Sequence, residues 1–293
     1  MTLRKEFVLK PEFKELWDRI NSKTRYSVRI DTEKLIEETV KAIQGIEIRP
    51  PRVVIRKARV NIDDEGAFEA IQLSSAKTLV DLVGRYALPN LAETMTNLLE
   101  KTTPPVRLSR RTLIEIVART EKKAEALDNP FEFASSVVRV LKDKLADFLV
   151  NGIQYEKIGK WYEMSQLEEA FEAWQDYVVP ARHSVYDAVE WESNQEREFV
   201  EGLERNRQVR MYIKLPRWFK VPTPVGDYNP DWAIVWEHHD EHGEPTGKPF
   251  LYLVAETKST LQKQKWRPDE KRKTDCGEKH FQEALGTKYR IVT

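Results

Sequence analysis

Apolar residues first recur at helical spacing in residues 11–21, where Phe13, Leu16, Trp17 and Ile20 form one stripe. Between Thr24 and Ile30 the period drops to two. Tyr26, Val28 and Ile30 face one way and Arg25, Ser27 and Arg29 the other, as in a half-buried strand. Asp31 or Thr32 can cap a following helix through Leu35, Ile36, Val40 and Ile43, closed by Gly45. Strand-like runs at 52–62 and 67–73 flank a turn at Gly66. From Ser75 to about Gln175 the pattern is mainly helical. It breaks at Pro104-Pro105 and at Asn129-Pro130, and Ser109 caps a helix carrying Leu113, Ile116 and Val117. Residues 176–192 are irregular and contain Pro180, which predicts a boundary. Residues 1–185 are therefore expected to form a mixed α/β, mainly helical scaffold, and residues 186–293 a second domain.

That second part predicts a helix over 194–206, strands over 208–214, 231–237 and 250–258, a helix over 277–286 and a strand over 288–292. Phe250-Leu-Tyr-Leu-Val-Ala255 is a nearly continuous apolar run, typical of a strand buried on both faces, and it leads straight into Glu256-Thr257-Lys258. Residues i and i+2 of a strand share a face about 7 Å apart, so Glu256 and Lys258 point the same way. Charges there are costly unless paired or bound to a metal. Asp231 opens the preceding strand. A hairpin pairing Glu237 with Phe250 also places Asp231 opposite Glu256, where two carboxylates repel unless a divalent cation lies between them. Mg2+ takes one or two carboxylates and otherwise keeps water and phosphate oxygens, and Lys258 beside it would orient or deprotonate a water, or neutralise a pentavalent transition state. The chemistry expected is in-line phosphodiester hydrolysis. E-x-K alone favours an edge-strand ion pair, with Asp231 a turn residue, because short motifs match by chance; Pro-Asp before one strand and E-x-K ending the next is the more specific combination.

Composition changes this picture little. Hydrophobic residues make up 40% of the 293, enough for a sizeable core, and Lys plus Arg equal Asp plus Glu at 48 each. Zero net charge is unlike a typical nucleic-acid binder, but local patches do the binding, and acidic metal ligands offset them. The single cysteine, Cys276, allows no intrachain disulfide, and no stretch approaches a membrane span or an apolar signal core. A cytoplasmic protein is expected.

Four stretches carry a family resemblance. Lys214-Leu-Pro-Arg-Trp-Phe-Lys-Val-Pro-Thr-Pro-Val-Gly226, Tyr228-Asn-Pro-Asp-Trp-Ala-Ile-Val235, Leu251-Tyr-Leu-Val-Ala-Glu-Thr-Lys258 and Cys276-Gly-Glu-Lys-His-Phe281 resemble the PD-(D/E)xK endonuclease domain of the restriction subunit of Type III restriction-modification enzymes. Phe13 to Ile20, Lys23 to Tyr26 and Arg110 to Leu113 are similar to that subunit's region between motor and nuclease. The resemblance implies an α/β (α+β) restriction-endonuclease-like fold, with a central mixed sheet flanked by helices, preceded by the scaffold. It also implies Mg2+-dependent cleavage of double-stranded DNA. Asp231, Glu256 and the Thr257 carbonyl would serve the metal, and Lys258 the nucleophile. The implied partners are an ATP-dependent motor region and the methylation-specificity subunit. No G-x-x-x-x-G-K-[S/T] phosphate loop occurs here, so the chain is expected to correspond to the C-terminal third of such a subunit. The alternative is a non-catalytic docking or DNA-binding fragment with an idle site.

Other signals are weaker. Glu196 lies on the apolar side of its helix with Phe199, Val200 and Leu203. The resemblance makes it a third site carboxylate, and Ser193-x-x-Glu196 also reads as a capping box. His238-His-Asp-Glu-His242 is expected to be a solvated hairpin tip rather than a metal cluster. Pro268-Asp269-Glu270 is a decoy; it stands among Lys265, Arg267, Lys271, Arg272 and Lys273, a basic run expected in a polar loop leaving the active strand, with phosphate contact the functional option of that run. Lys279 and His280 are minor candidates for approach to the scissile phosphate. Cys276 is expected to be a packing residue, and Arg107, Arg110 and Arg111 a solvated helix start.

Overall fold

A computed structural model describes residues 1–50, 89–102, 105–168 and 177–293, together with the backbone of four short strands between 53 and 79. The Gly66 turn, Pro104 and the end of the expected helical run at 169–176 lie outside the described residues. In chain order the elements are α1 (Lys5–Val8), α2 (Pro11–Ile20), β1 (Ser22–Val28), α3 (Thr32–Gln44), β2 (Val53–Ile55), β3 (Ala58–Ile62), β4 (Phe68–Gln72), β5 (Lys77–Leu79), α4 (Leu91–Glu100), α5 (Arg110–Arg119), α6 (Lys123–Asp128) and α7 (Pro130–Asn151). There follow β6 (Ile153–Trp161), β7 (Val178–Pro180), β8 (Ala188–Glu190), α8 (Asn194–Arg205), β9 (Val209–Lys214), β10 (Trp232–Trp236), β11 (Leu251–Thr257), α9 (Pro268–Glu278), continued by a π-helical stretch Lys279–Ala284, and β12 (Lys288–Val292).

Two compact units result: Met1–Arg29 with Leu149–Thr293, and Ile30–Phe148. The second unit holds α3 to α6, most of α7 and two antiparallel strand pairs, β2 with β5 and β3 with β4. Its helices start as the sequence indicates. Asp31 accepts from the amides of Glu33 and Lys34, and Ser109 from that of Thr112. Leu35, Ile43, Met95, Leu99, Leu113, Ile116, Phe133 and Leu141 are buried there.

The first unit is built on a mixed sheet in the order β12-β11-β10-β9. β10 runs antiparallel to both neighbours and β11 parallel to β12, a connection that needs a crossover, supplied by α9 and its π-helical end. On one face Val200 and Leu203 of α8 pack with Tyr212, Trp232 and Ile234. On the other, Phe13, Leu16, Trp17 and Ile20 of α2 pack with Met211, Ile213, Ala233, Val235, Val254 and Phe281. This is the mixed α/β arrangement, a sheet flanked by helices, that the sequence led us to expect.

The units divide the chain differently from the boundary expected near 185. Residues 1–29 and 149–185 group with the C-terminal part. The described stretch 177–192 is core rather than linker: β7 pairs with β8, the Tyr212 amide donates to the His183 carbonyl at 3.0 Å, and Val185 and Tyr186 are buried under the sheet. β6 also departs from the expected helical run. It pairs with β1 through Val28↔Ile153 to Ser22↔Trp161 and, because most of its side chains are exposed, carries no apolar alternation to announce it. Among the described residues no helix is long and apolar enough to cross a membrane.

α2 therefore supplies one wall of the core. Trp17→Ala is expected to cost about 3–5 kcal/mol in urea unfolding and Leu9→Ala, at an exposed position, about 0.5 kcal/mol or less. Equal effects would contradict the placement of α2 against the sheet.

Candidate active site

The β10–β11 register pairs Trp232 with Ala255 and Trp236 with Leu251. Extended by one pair, it sets Asp231 beside Glu256, the register expected from the sequence. The placement is held from both sides: the Asp231 carbonyl accepts from the Leu215 amide at 2.8 Å, and its Oδ2 accepts from the Thr257 amide at 2.7 Å. The Thr257 hydroxyl accepts from the Trp232 indole at 2.6 Å. Asp231 and Glu256 thus sit at the end of two apolar strands.

Glu256 is gripped at both oxygens. Lys258 Nζ is 2.6 Å from Oε1, and the Tyr228 hydroxyl donates to Oε2 at 2.6 Å. Lys258 also reaches Glu270 Oε1 at 2.8 Å. Glu270 stands in the first turn of α9, so the expected polar loop at 268–273 is instead a helix that returns to the site. Pro at its first position and two acids in its first turn are helix-start signals, masked by the lack of any apolar stripe.

Glu196 forms only half of the expected capping box, its side chain taking the Glu192 amide instead of that of Ser193. Its amide donates to Ser193 Oγ, and its Oε2 accepts from the Glu192 amide at 3.0 Å and from Lys214 Nζ at 2.7 Å. It also lines the same cavity as Asp231, of about 430 Å³, with Lys214 and Arg217. Glu256, Lys258 and Glu270 line a separate cleft of about 350 Å³ with Lys273, and Asn229 borders both.

The electrostatics are strained. Burial, then the Glu256 charge, then Glu196, hold the Asp231 carboxyl above its ordinary range against the Thr257 amide and Lys258. Burial also raises Glu256, against Lys258 and Tyr228. Burial opposes the Lys258 charge, but Glu256 and Glu270 outweigh it and strengthen its hold on the proton. Glu270, hydrogen-bonded by Lys258, lies below the usual carboxylate range. Two hard oxygen donors with too little positive charge between them are what a divalent cation relieves, and Mg2+ needs no more than two carboxylates. Among the described residues no group of three or more His, Cys, Asp or Glu is placed to hold an ion, so the fit rests on this pair with water and substrate oxygens.

The weaker candidates lie elsewhere. His280 is buried, with Nδ1 3.1 Å from the Thr24 hydroxyl and its ring edge-on to Tyr155, and Lys279 Nζ donates to the carbonyls of Val150 and Asn151. Neither faces Glu256. Residues 240–249 are an exposed turn in which Asp240 accepts from the His242 and Glu244 amides. Cys276 packs with Val150 and Ile153. Lys214, Tyr228, Glu270, Gly277 and Tyr289 belong to the neighbourhood of the site although sequence reasoning gave none of them a role there.

A family model described as an endonuclease domain matches residues 182–293. No curated protein and no solved structure matches the chain. The mixed sheet flanked by helices in the matched segment is consistent with a restriction-endonuclease-like domain, and such domains generally use a divalent metal.

Two outcomes follow from the charges. The folded pKa of Asp231 lies above its unfolded value, so its charge costs stability as pH rises above about 4. Asp231→Asn is expected to raise the thermal midpoint at pH 8 by about 2 °C or more. An unchanged midpoint would contradict a cost of holding that buried charge beside Glu256. His280 is the reverse case. Burial pushes it from 6.5 down to about 3, so the unfolded chain takes up a proton that the folded protein refuses. Stability should fall as pH drops from about 6.5 toward 3, by up to about 1.4 kcal/mol per pH unit, and His280→Gln should remove that component in urea titrations.

Proposed function

We propose that this chain carries a Mg2+-dependent endodeoxyribonuclease site that hydrolyses phosphodiester bonds of double-stranded DNA, as part of the restriction subunit of a Type III restriction-modification system. The observation that carries the catalytic reading is the convergence of Asp231, Glu256 and Lys258 at one sheet end, inside the segment that matches an endonuclease domain. Asp231 and Glu256, with the Thr257 carbonyl, would hold the cation, which supplies Lewis acidity toward a phosphoryl oxygen and a water of lowered pKa. Lys258 places its ammonium where charge grows on the phosphate or on the attacking water. Glu196 holds Lys214 and adds negative charge beside Asp231.

The Type III assignment rests on the resemblance of the stretches at 214–226, 228–235, 251–258 and 276–281. It brings with it a motor region and a methylation-specificity subunit as partners. We further propose that residues 186–293 form the catalytic domain and residues 1–185 the spacer that meets those partners, although residues 1–29 fold with the nuclease sheet.

Supercoiled plasmid with Mg2+ or Mn2+ tests the reading. The wild type is expected to nick, and Asp231→Ala, Glu256→Ala and Lys258→Ala each to lose about a hundredfold or more. Equal nicking by all four proteins would put the activity elsewhere. Metal binding without nicking would instead favour the idle-site, docking reading.

A further inference from the structure

We propose that Tyr228 is a positioning residue that fixes the metal-binding carboxylate of Glu256, and that Gly277 exists to seat it. This inference rests on the reading of Asp231 and Glu256 as a cation site.

Tyr228 precedes β10 and is buried. Its hydroxyl meets two partners at 2.6 Å each, Glu256 Oε2 and the Tyr289 hydroxyl of β12. Lys258 grips Oε1 from the other side. A carboxylate held at both oxygens loses its freedom to rotate, so its remaining lone pairs point in fixed directions. The two grips differ in charge. Lys258 neutralises the carboxylate; a phenol donates a hydrogen bond and adds no charge, so it orients Glu256 while leaving its negative charge available to a cation. Groups that hydrogen-bond a metal ligand in this way typically contribute tenfold to a hundredfold in metal affinity or activity.

The seat is steric. A Cβ at position 277 would lie 3.0 Å from Tyr228 Cδ1 and closer still to Cε1, so any side chain there displaces the ring. The glycine is helical, without an unusual φ, and nothing in the backbone of α9 calls for it. Close approach of the phenol does. Three separate segments, the loop before β10, β12 and α9, thus meet at one tyrosine, whose hydroxyl has Glu256 as its acceptor.

Mn2+ binding to the full chain, read by the loss of free-ion electron paramagnetic resonance signal, tests this directly. Tyr228→Phe keeps the ring and removes the hydroxyl. It is expected to raise the Mn2+ Kd about tenfold or more. In the plasmid assay it is expected to lower kcat while leaving the KM for DNA unchanged. Gly277→Ala reaches the same hydroxyl by displacement and should weaken Mn2+ similarly; Tyr228→Phe decides the matter if the alanine variant fails to fold. Wild-type Mn2+ affinity in folded Tyr228→Phe overturns the inference alone. A wild type that binds no Mn2+ overturns the proposed function, and this inference with it.

Discussion

The backbone ladder between β10 and β11 sets two acidic side chains beside each other against their mutual repulsion. Five consecutive pairs, from Trp232↔Ala255 to Trp236↔Leu251, fix that ladder. A slip of one residue would turn Glu256 and Lys258 to the opposite face and part them from Asp231. The slip is prevented by apolar burial on both sides of the sheet. Trp232, Ala233, Ile234 and Val235 are all buried, and large apolar side chains contribute about 1.5–3 kcal/mol each. The core therefore imposes a charge arrangement that the charges themselves resist.

What accumulates at the sheet end follows from that conflict. Each carboxylate has gathered donors: the Thr257 amide for Asp231, Lys258 and Tyr228 for Glu256, and Lys214 for Glu196. These donors do not make up for burial, which keeps both strand-end acids harder to ionise than ordinary carboxylates, and at Asp231 the Glu256 charge adds to it. Lys258 is shared by Glu256 and Glu270, so one ammonium serves two acids. The arrangement suits a site that takes its missing positive charge from a bound cation.

How much of this was readable beforehand depended on whether apolar spacing marked the element. The strands around Asp231 and Glu256 are legible because their apolar runs end abruptly in charged residues, which marks their ends; their register follows only from assuming Glu237 opposite Phe250. α9 was not, because Pro268-Asp-Glu-Lys-Arg-Lys-Thr-Asp275 has no apolar stripe, and Glu270 was lost with it. Nothing in the sequence singles out the hydroxyls of Tyr228 and Tyr289; only the fold shows that they meet beside Glu256. The stretch at 176–192 read as a boundary because β7 and β8 are only three residues long, yet its backbone hydrogen-bonds to the edge strand β9.

The segment that matches an endonuclease domain begins at 182, and the sheet it contains cannot close its own core. Met211, Ile213, Ala233, Val235 and Val254 face α2, which lies near the N-terminus. Without α2 that face would present a contiguous apolar surface to water. The route by which one folding unit recruits residues 1–29 is visible in β1 and β6. Val28 pairs with Ile153, and the Arg29 amide donates to the Gly152 carbonyl at 3.4 Å. The chain thus leaves the first unit at Arg29 and returns to it beside that same point, so the intervening residues form an insertion with adjacent ends. Such an insertion costs the host sheet little, because closing the two ends requires only one strand pair, already present as β1 and β6.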